Sequence, residues 1–150
     1  MPSRKLRRLQ EFVETFSCMG VNGARWPTCV HEAGHATVAM ALGVTVLSIH
    51  GGSHETDGCC KVLPPAHWQD EVLILMAGYL AARHVAGDTY MWPAAISDRR
   101  KIAYRFQRHG ADPAARTALW DRAGDIVTDS LPAVLTLADM LMEHDIQLDA

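Results

Sequence analysis

The segment His31-Glu32-Ala33-Gly34-His35 constrains this chain more than any other feature. It has the pattern HExxH, in which a glutamate follows the first of two histidines spaced four residues apart. On a helix, residues four apart lie one turn above each other on the same face, so both imidazoles can reach one metal ion. The carboxylate of Glu32 can then take a proton from a water at that metal. The motif therefore predicts a helix that carries most of a metal site.

The match is specific for a chain of this composition. With eight histidines and six glutamates in 150 residues, random shuffling would produce HExxH about 0.02 times. The residues that follow the motif are small or apolar and suit a helix that ends at Gly43. The alternative interpretation is a surface helix with two solvated histidines, and the low chance frequency argues against it.

Length and composition are those of one globular domain. The chain is 49% hydrophobic and 21% charged, which suffices for a hydrophobic core. A net charge of −3 gives no reason to expect a nucleic-acid partner. The four cysteines form no CxxC pair, so reduced thiols are the simplest interpretation. The sequence shows neither a signal peptide nor an apolar run long enough to span a bilayer, so we expect a cytoplasmic protein without a membrane partner.

Hydrophobic patterning predicts a mostly helical α+β fold with a zincin-like metal helix, a small β-sheet and a C-terminal helical bundle. One domain is expected over residues 1–150, with an N-terminal amphipathic helix and linker over 1–23 and the core over 24–145. Thr28 is a candidate N-cap of the metal helix. Further helices are predicted over 4–17 and 66–85, from Ser97 to Gly110, from Asp112-Pro113 and from Ser130-Leu131-Pro132, and strands over 44–49 and 59–63.

Two histidines do not complete a catalytic zinc site, which uses three protein ligands and leaves the fourth position to water. Position 41 is alanine, so the chain lacks the third histidine of the pattern HExxHxxGxxH. Spacing along the chain does not select another ligand. The candidates are His54, Glu55, Asp57, His84, Asp88, Asp98, His109 and His144.

The order of several segments resembles a known family. HEAGHA is followed by a predicted strand, an LPP segment, an apolar helix containing MAGYLAA and then Ser97-Asp98. Over residues 24–145 this order is similar to the peptidase domain of the FtsH family, AAA-type membrane proteases with HEAGHA, an AGRAAE-like helix and a later aspartate. The resemblance implies that His31, His35 and Asp98 bind zinc and that Glu32 is the general base. Taken alone, Asp98 is also explained as an acidic residue favoured by the dipole of a helix first turn.

The chain departs from that family at several positions. Ala82 and Arg83 stand where the family has acidic residues, and Tyr79 stands where it has arginine. The sequence contains no GxxxxGK[ST] phosphate-binding motif. We therefore do not expect this chain to deliver substrates by ATP hydrolysis, as members of that family do.

Together these features predict an ATP-independent zinc metalloendopeptidase that cleaves peptides or unfolded segments. Either predicted strand could align an extended peptide if it lies at a sheet edge. Two alternatives stay open: a zinc-containing regulatory or binding module without proteolytic activity, and a peptidase dedicated to one phage or stress repressor. The expected partner is a peptide or unfolded protein, and both an oligomer and a separate delivery partner are left open.

Overall fold

The computed structural model describes residues 14–18, 25–52, 58–87 and 96–148. Helices dominate these residues and accompany a small antiparallel sheet, which confirms the predicted α+β class. In chain order the elements are β1 (Glu14–Cys18), α1 (Arg25–Ala41), β2 (Val46–His50), β3 (Gly58–Val62), α2 (Trp68–Ala86), α3 (Ile96–Arg108), α4 (Pro113–Glu143) and β4 (Ile146–Gln147).

The strands form one antiparallel sheet in the order β1-β3-β2-β4. β3 is interior, because it pairs with β1 on one side and with β2 on the other. β2 is flanked on its far side by β4, which pairs with it at Ser48 and Ile49. Both predicted strands are therefore present, but β3 does not offer a free edge to an extended peptide. Among the strands that the structure describes, β1 is an edge of the sheet.

The metal helix α1 begins earlier than predicted. It starts at Arg25, and Thr28 is a buried residue within it rather than its N-cap. Pro27 does not delay the start, because the first-turn amides of a helix have no intrahelical acceptor and a proline there loses nothing. All of HExxH thus lies well inside a helix of 17 residues.

The end of α1 agrees with the prediction at Gly43. This glycine has φ of 74°, its N–H donates to the carbonyl of Met40 at 3.1 Å, and the N–H of Val44 donates to the carbonyl of Ala39 at 2.8 Å. These two bonds are the Schellman motif, which favours glycine because the left-handed conformation strains other side chains.

The apolar helix α2 packs against α1, α3 and α4. Gly34 in the middle of HExxH permits a close approach to α2, because a Cβ at this position would lie 2.7 Å from Cβ of Ala81 and 2.8 Å from the carbonyl oxygen of Ala77. No helix in the described ranges has the length and apolarity needed to cross a membrane. The buried residues of α2 are Glu71, Val72, Leu73, Ile74, Leu75, Met76, Ala77, Gly78, Ala81 and Ala82.

The C-terminal part of the chain is one helix rather than two. α4 starts as predicted, with Asp112 as N-cap accepting from the N–H of Ala115 at 2.8 Å, but it runs unbroken for 31 residues and includes Pro132. An interior proline removes one backbone hydrogen bond and crowds the preceding turn. Buried residues on both sides of it, Val127 and Val134, belong to a helix face packed on α1 and α2. Tertiary packing therefore outweighs the local break, and α4 forms the predicted bundle with α1 and α2.

The helix predicted over 4–17 is wrong at its C-terminal end, where Glu14–Cys18 form β1. This strand pairs with β3 from Glu14 opposite Val62 to Cys18 opposite Gly58. Strand formation depends on a pairing partner that lies far along the chain, so local helical periodicity does not decide it. Residues 1–13 and 19–24, which hold the rest of the predicted helix and linker, lie outside the described residues.

Candidate metal centre

Helices α1 and α3 bring three predicted site residues into contact. His31 and His35 lie on α1, and Asp98 lies in the first turn of α3. The Oδ2 atom of Asp98 is 2.9 Å from Nε2 of His31 and 3.0 Å from Nε2 of His35. All three side chains are fully buried. The four-residue spacing therefore places the imidazoles together, and tertiary packing adds a carboxylate 67 residues away from His31.

Glu32 belongs to an overlapping cluster. The potential ligand atoms of His31, Glu32 and His35 all lie within 4.8 Å of one another. The side chain of Glu32 is fully buried, and its stem packs so closely on β3 that a Cβ at Gly58 would lie 2.9 Å from Cγ of Glu32. The two histidines thus share their surroundings with two carboxylates, and either one could complete a three-residue donor set.

A backbone carbonyl fixes the orientation of His35. Nδ1 of this ring lies 2.7 Å from the carbonyl oxygen of Ile74 on α2. A carbonyl can only accept, so Nδ1 carries the hydrogen and donates it. In the neutral form of the ring, the lone pair of Nε2 faces Asp98. Such a bond on the nitrogen that is not a ligand is the usual way a protein orients a histidine for metal binding.

The protonation states of the cluster suit a cation. Burial lowers the pKa of His31 below its ordinary value, although the hydrogen bond to Asp98 acts in the opposite direction. Burial by itself would raise the pKa of Asp98, but the adjacent His35 and His31 outweigh it and lower that pKa. These directions favour a neutral imidazole at His31 and an ionised carboxylate at Asp98, which are the forms that bind metal.

Gly78 on α2 lies directly against the two rings. A Cβ at this position would lie 2.5 Å from Nε2 of His35 and 2.7 Å from Nε2 of His31. No larger residue fits unless the rings or α2 shift. The apolar pattern over residues 66–85 predicts that Gly78 lies in a helix and indicates no role for it. A signal was present, because an interior helical glycine costs about 1 kcal/mol relative to alanine and calls for a packing reason.

The other described histidine candidates lie outside the cluster. His84 is exposed in the last turn of α2, and His144 is the exposed C-cap of α4. His109 follows α3 and stacks on Trp68, with ring centroids 4.5 Å apart. The remaining candidates, His54, Glu55, Asp57 and Asp88, lie outside the described residues.

Three free cysteines, Cys29, Cys59 and Cys60, lie in the described part of the chain. Burial raises the pKa of Cys60 well above its ordinary value, and the negative charge of Glu32 raises it further. In the absence of a metal, Cys60 is therefore held in the thiol form.

One family model matches the chain. Residues 24–103 match the family described as Peptidase M50B-like, over half of the 150 residues. The matched part contains α1, α2 and the start of α3, and with them His31, Glu32, His35 and Asp98. No curated protein matches the chain significantly. The match supports a metallopeptidase-like domain and does not point specifically to the FtsH family. The chain belongs to the Peptidase M50B-like family.

Proposed function

We propose that this protein is a zinc metalloendopeptidase that acts without ATP. His31, His35 and Asp98 would hold the zinc ion, and Glu32 would be the general base. The observation that carries the proposal is the buried contact of one carboxylate oxygen of Asp98 with both Nε2 atoms, at 2.9 and 3.0 Å. Membership of a peptidase family supports the reaction class.

The donor set fits a divalent metal. The Oδ1 atom of Asp98 is buried and has no hydrogen-bond partner among the residues that the structure describes. A buried carboxylate oxygen without a partner is costly, and coordination of a cation removes that cost. Two imidazoles and one carboxylate are a known donor set of catalytic zinc sites, which keep an open position, whereas structural sites close with four protein ligands. The site is therefore better suited to catalysis than to a structural metal.

Asp98 is a better third ligand than Glu32. Its Oδ2 atom lies within 3.0 Å of both Nε2 atoms, so a single carboxylate oxygen is in contact with both histidine nitrogens. This assignment leaves the carboxylate of Glu32 near the site for proton transfer. It also agrees with the roles that the resemblance to the FtsH family implies.

Each site residue would have a separate role in the hydrolysis of the peptide bond. When bound, zinc supplies Lewis acidity that lowers the pKa of a water and polarises the scissile carbonyl. The carboxylate of Glu32 accepts the proton of the attacking water and delivers it to the leaving amine nitrogen. The carbonyl of Ile74 keeps the His35 ring oriented during this proton transfer.

The surroundings of the site favour extended substrates. All four site residues are fully buried, so a substrate that reaches them would have to be an extended segment or peptide rather than the surface of a folded protein. The edge strand β1 contacts α1 and α3, the two helices that carry the site residues. A peptide that pairs with this edge through main-chain hydrogen bonds would run beside the metal centre. A separate delivery partner is compatible with this proposal and is not required by it.

Removal of zinc is expected to abolish cleavage. The purified protein should bind one zinc ion per chain and cleave an unfolded fluorogenic protein in the absence of ATP. A chelator should stop this turnover, and added zinc should restore it, whereas Mg²⁺ should not because it prefers oxygen ligands. Cleavage that persists in metal-free protein would refute the proposal. Stoichiometric zinc without any cleavage would favour the regulatory module.

A further inference from the structure

We propose that the ion pair between Arg105 and Glu71 positions Asp98 for metal binding. This inference rests on the proposed function, because it assigns a role relative to the zinc site. The guanidinium of Arg105 on α3 lies 2.7 Å from Oε2 of Glu71 on α2. The side chains are 29% and 7% exposed, respectively, so the pair is largely removed from water. A charge pair in such surroundings holds its geometry better than one on the surface.

One face of α2 contacts both histidines of the metal centre and the arginine of α3. Glu71, Ile74 and Gly78 are three and four residues apart, so they share that face. Gly78 backs the two imidazole nitrogens, the carbonyl of Ile74 orients His35, and Glu71 binds Arg105. The same face of α2 therefore contacts the two histidines of α1 and, through the ion pair with Arg105, the helix that carries Asp98.

Arg105 lies on the side of α3 that carries Asp98. The two residues are seven apart, which is about two helical turns or about 10.5 Å along the axis. Between them Ile102 is buried against the core. Beyond the end of α3, the stack of Trp68 on His109 joins the same two helices. A helix is stiff over this length, so the ion pair sets how far α3 lies along α2 and hence where the carboxylate of Asp98 meets the two nitrogens.

The direction of the change in zinc affinity distinguishes a positioning role of Arg105 from a purely electrostatic one. Arg105 carries a positive charge, so its removal should strengthen cation binding if it acts through its field alone. If the ion pair positions Asp98, its removal should weaken cation binding instead. Loss of a group that orients a metal ligand weakens metal affinity by about 10- to 100-fold in known sites.

The test measures zinc affinity by competition with a chromogenic chelator in the wild type and in Arg105→Met. Arg108→Met is the matched control, because Arg108 is exposed on the same helix. We expect Arg105→Met to bind zinc about 10- to 100-fold more weakly, Arg108→Met to match the wild type, and Arg105→Lys to recover part of the loss. Circular dichroism and thermal unfolding of the zinc-free proteins show whether each variant folds.

If Arg105→Met destabilises the zinc-free fold, Glu71→Gln, which keeps the size of the side chain, should give the same loss of affinity in a folded protein. Unchanged or tighter zinc binding by a folded Arg105→Met variant would overturn the positioning role. A wild type that binds no zinc would instead overturn the proposed function, and the inference with it.

Discussion

Replacement of Glu32 by glutamine is expected to abolish peptide hydrolysis while zinc stays bound. The amide has the size of the carboxylate, so the buried side chain should pack as before, but it cannot accept a proton from water. Loss of a general base lowers turnover by about 10²- to 10⁴-fold. The measurement is ATP-free cleavage of an unfolded fluorogenic protein, with the zinc content of the same sample determined in parallel.

Glu143→Gln provides the matched control for this variant. Glu143 ends α4 and is exposed, so its replacement should leave both turnover and zinc unchanged. Turnover near the wild-type rate in a zinc-loaded Glu32→Gln variant would show that the base lies elsewhere. Loss of zinc together with turnover would show that Glu32 is itself a ligand.

Substitution of alanine for Gly78 should remove zinc from the site. The added methyl group would lie 2.5 Å from Nε2 of His35 and 2.7 Å from Nε2 of His31, distances that real Cβ contacts do not reach. The rings or α2 must then move. Overpacking of this kind costs about 1 to 3 kcal/mol, and because the displaced atoms are the predicted ligands we expect zinc affinity to fall by about 100-fold or more. Chelator competition measures the affinity.

Gly124→Ala is the control for Gly78→Ala. Gly124 lies in α4, and a Cβ there would meet nothing within 4 Å. Its replacement should leave zinc binding unchanged and stabilise the helix by up to about 1 kcal/mol. If Gly78→Ala bound zinc within about threefold of the wild type, the close approach would be a feature of helix packing without a role at the metal.

The metal helix could be predicted from the sequence because its information is local. HExxH specifies the helix, the shared face of His31 and His35, and the nearby carboxylate of Glu32 within five consecutive residues. Gly43 likewise marks the helix end through its own backbone conformation. Such features depend on neighbours in the sequence and not on the rest of the fold.

Other parts of the site depend on contacts between distant segments. Spacing alone left the third ligand open among several residues, and only the resemblance to the FtsH family singled out Asp98. In the structure, α3 packs on α2 and Asp98 lies beside His31 and His35. An interior glycine at position 78 indicates a close approach, but the partner of that approach and the contact of the Ile74 carbonyl could not be predicted, because each depends on which atoms of α1 face α2.

Two of the errors in the predicted elements have the same physical origin. β1 exists because β3 supplies hydrogen-bond partners, and α4 continues through Pro132 because its apolar face is buried. In both places local propensity indicated one structure, and a tertiary partner stabilised another.

The central claim is that Asp98 binds the metal and Glu32 does not. Its most direct test is the zinc affinity of Asp98→Asn beside that of Glu32→Gln, with the exposed Asp121→Asn as control. The predicted result is a loss of about 100-fold or more for Asp98→Asn, because a ligand matters at least as much as the groups that orient it. Glu32→Gln and Asp121→Asn should stay within about threefold of the wild type. Near wild-type affinity in Asp98→Asn together with a large loss in Glu32→Gln would contradict this account and assign the metal to His31, Glu32 and His35.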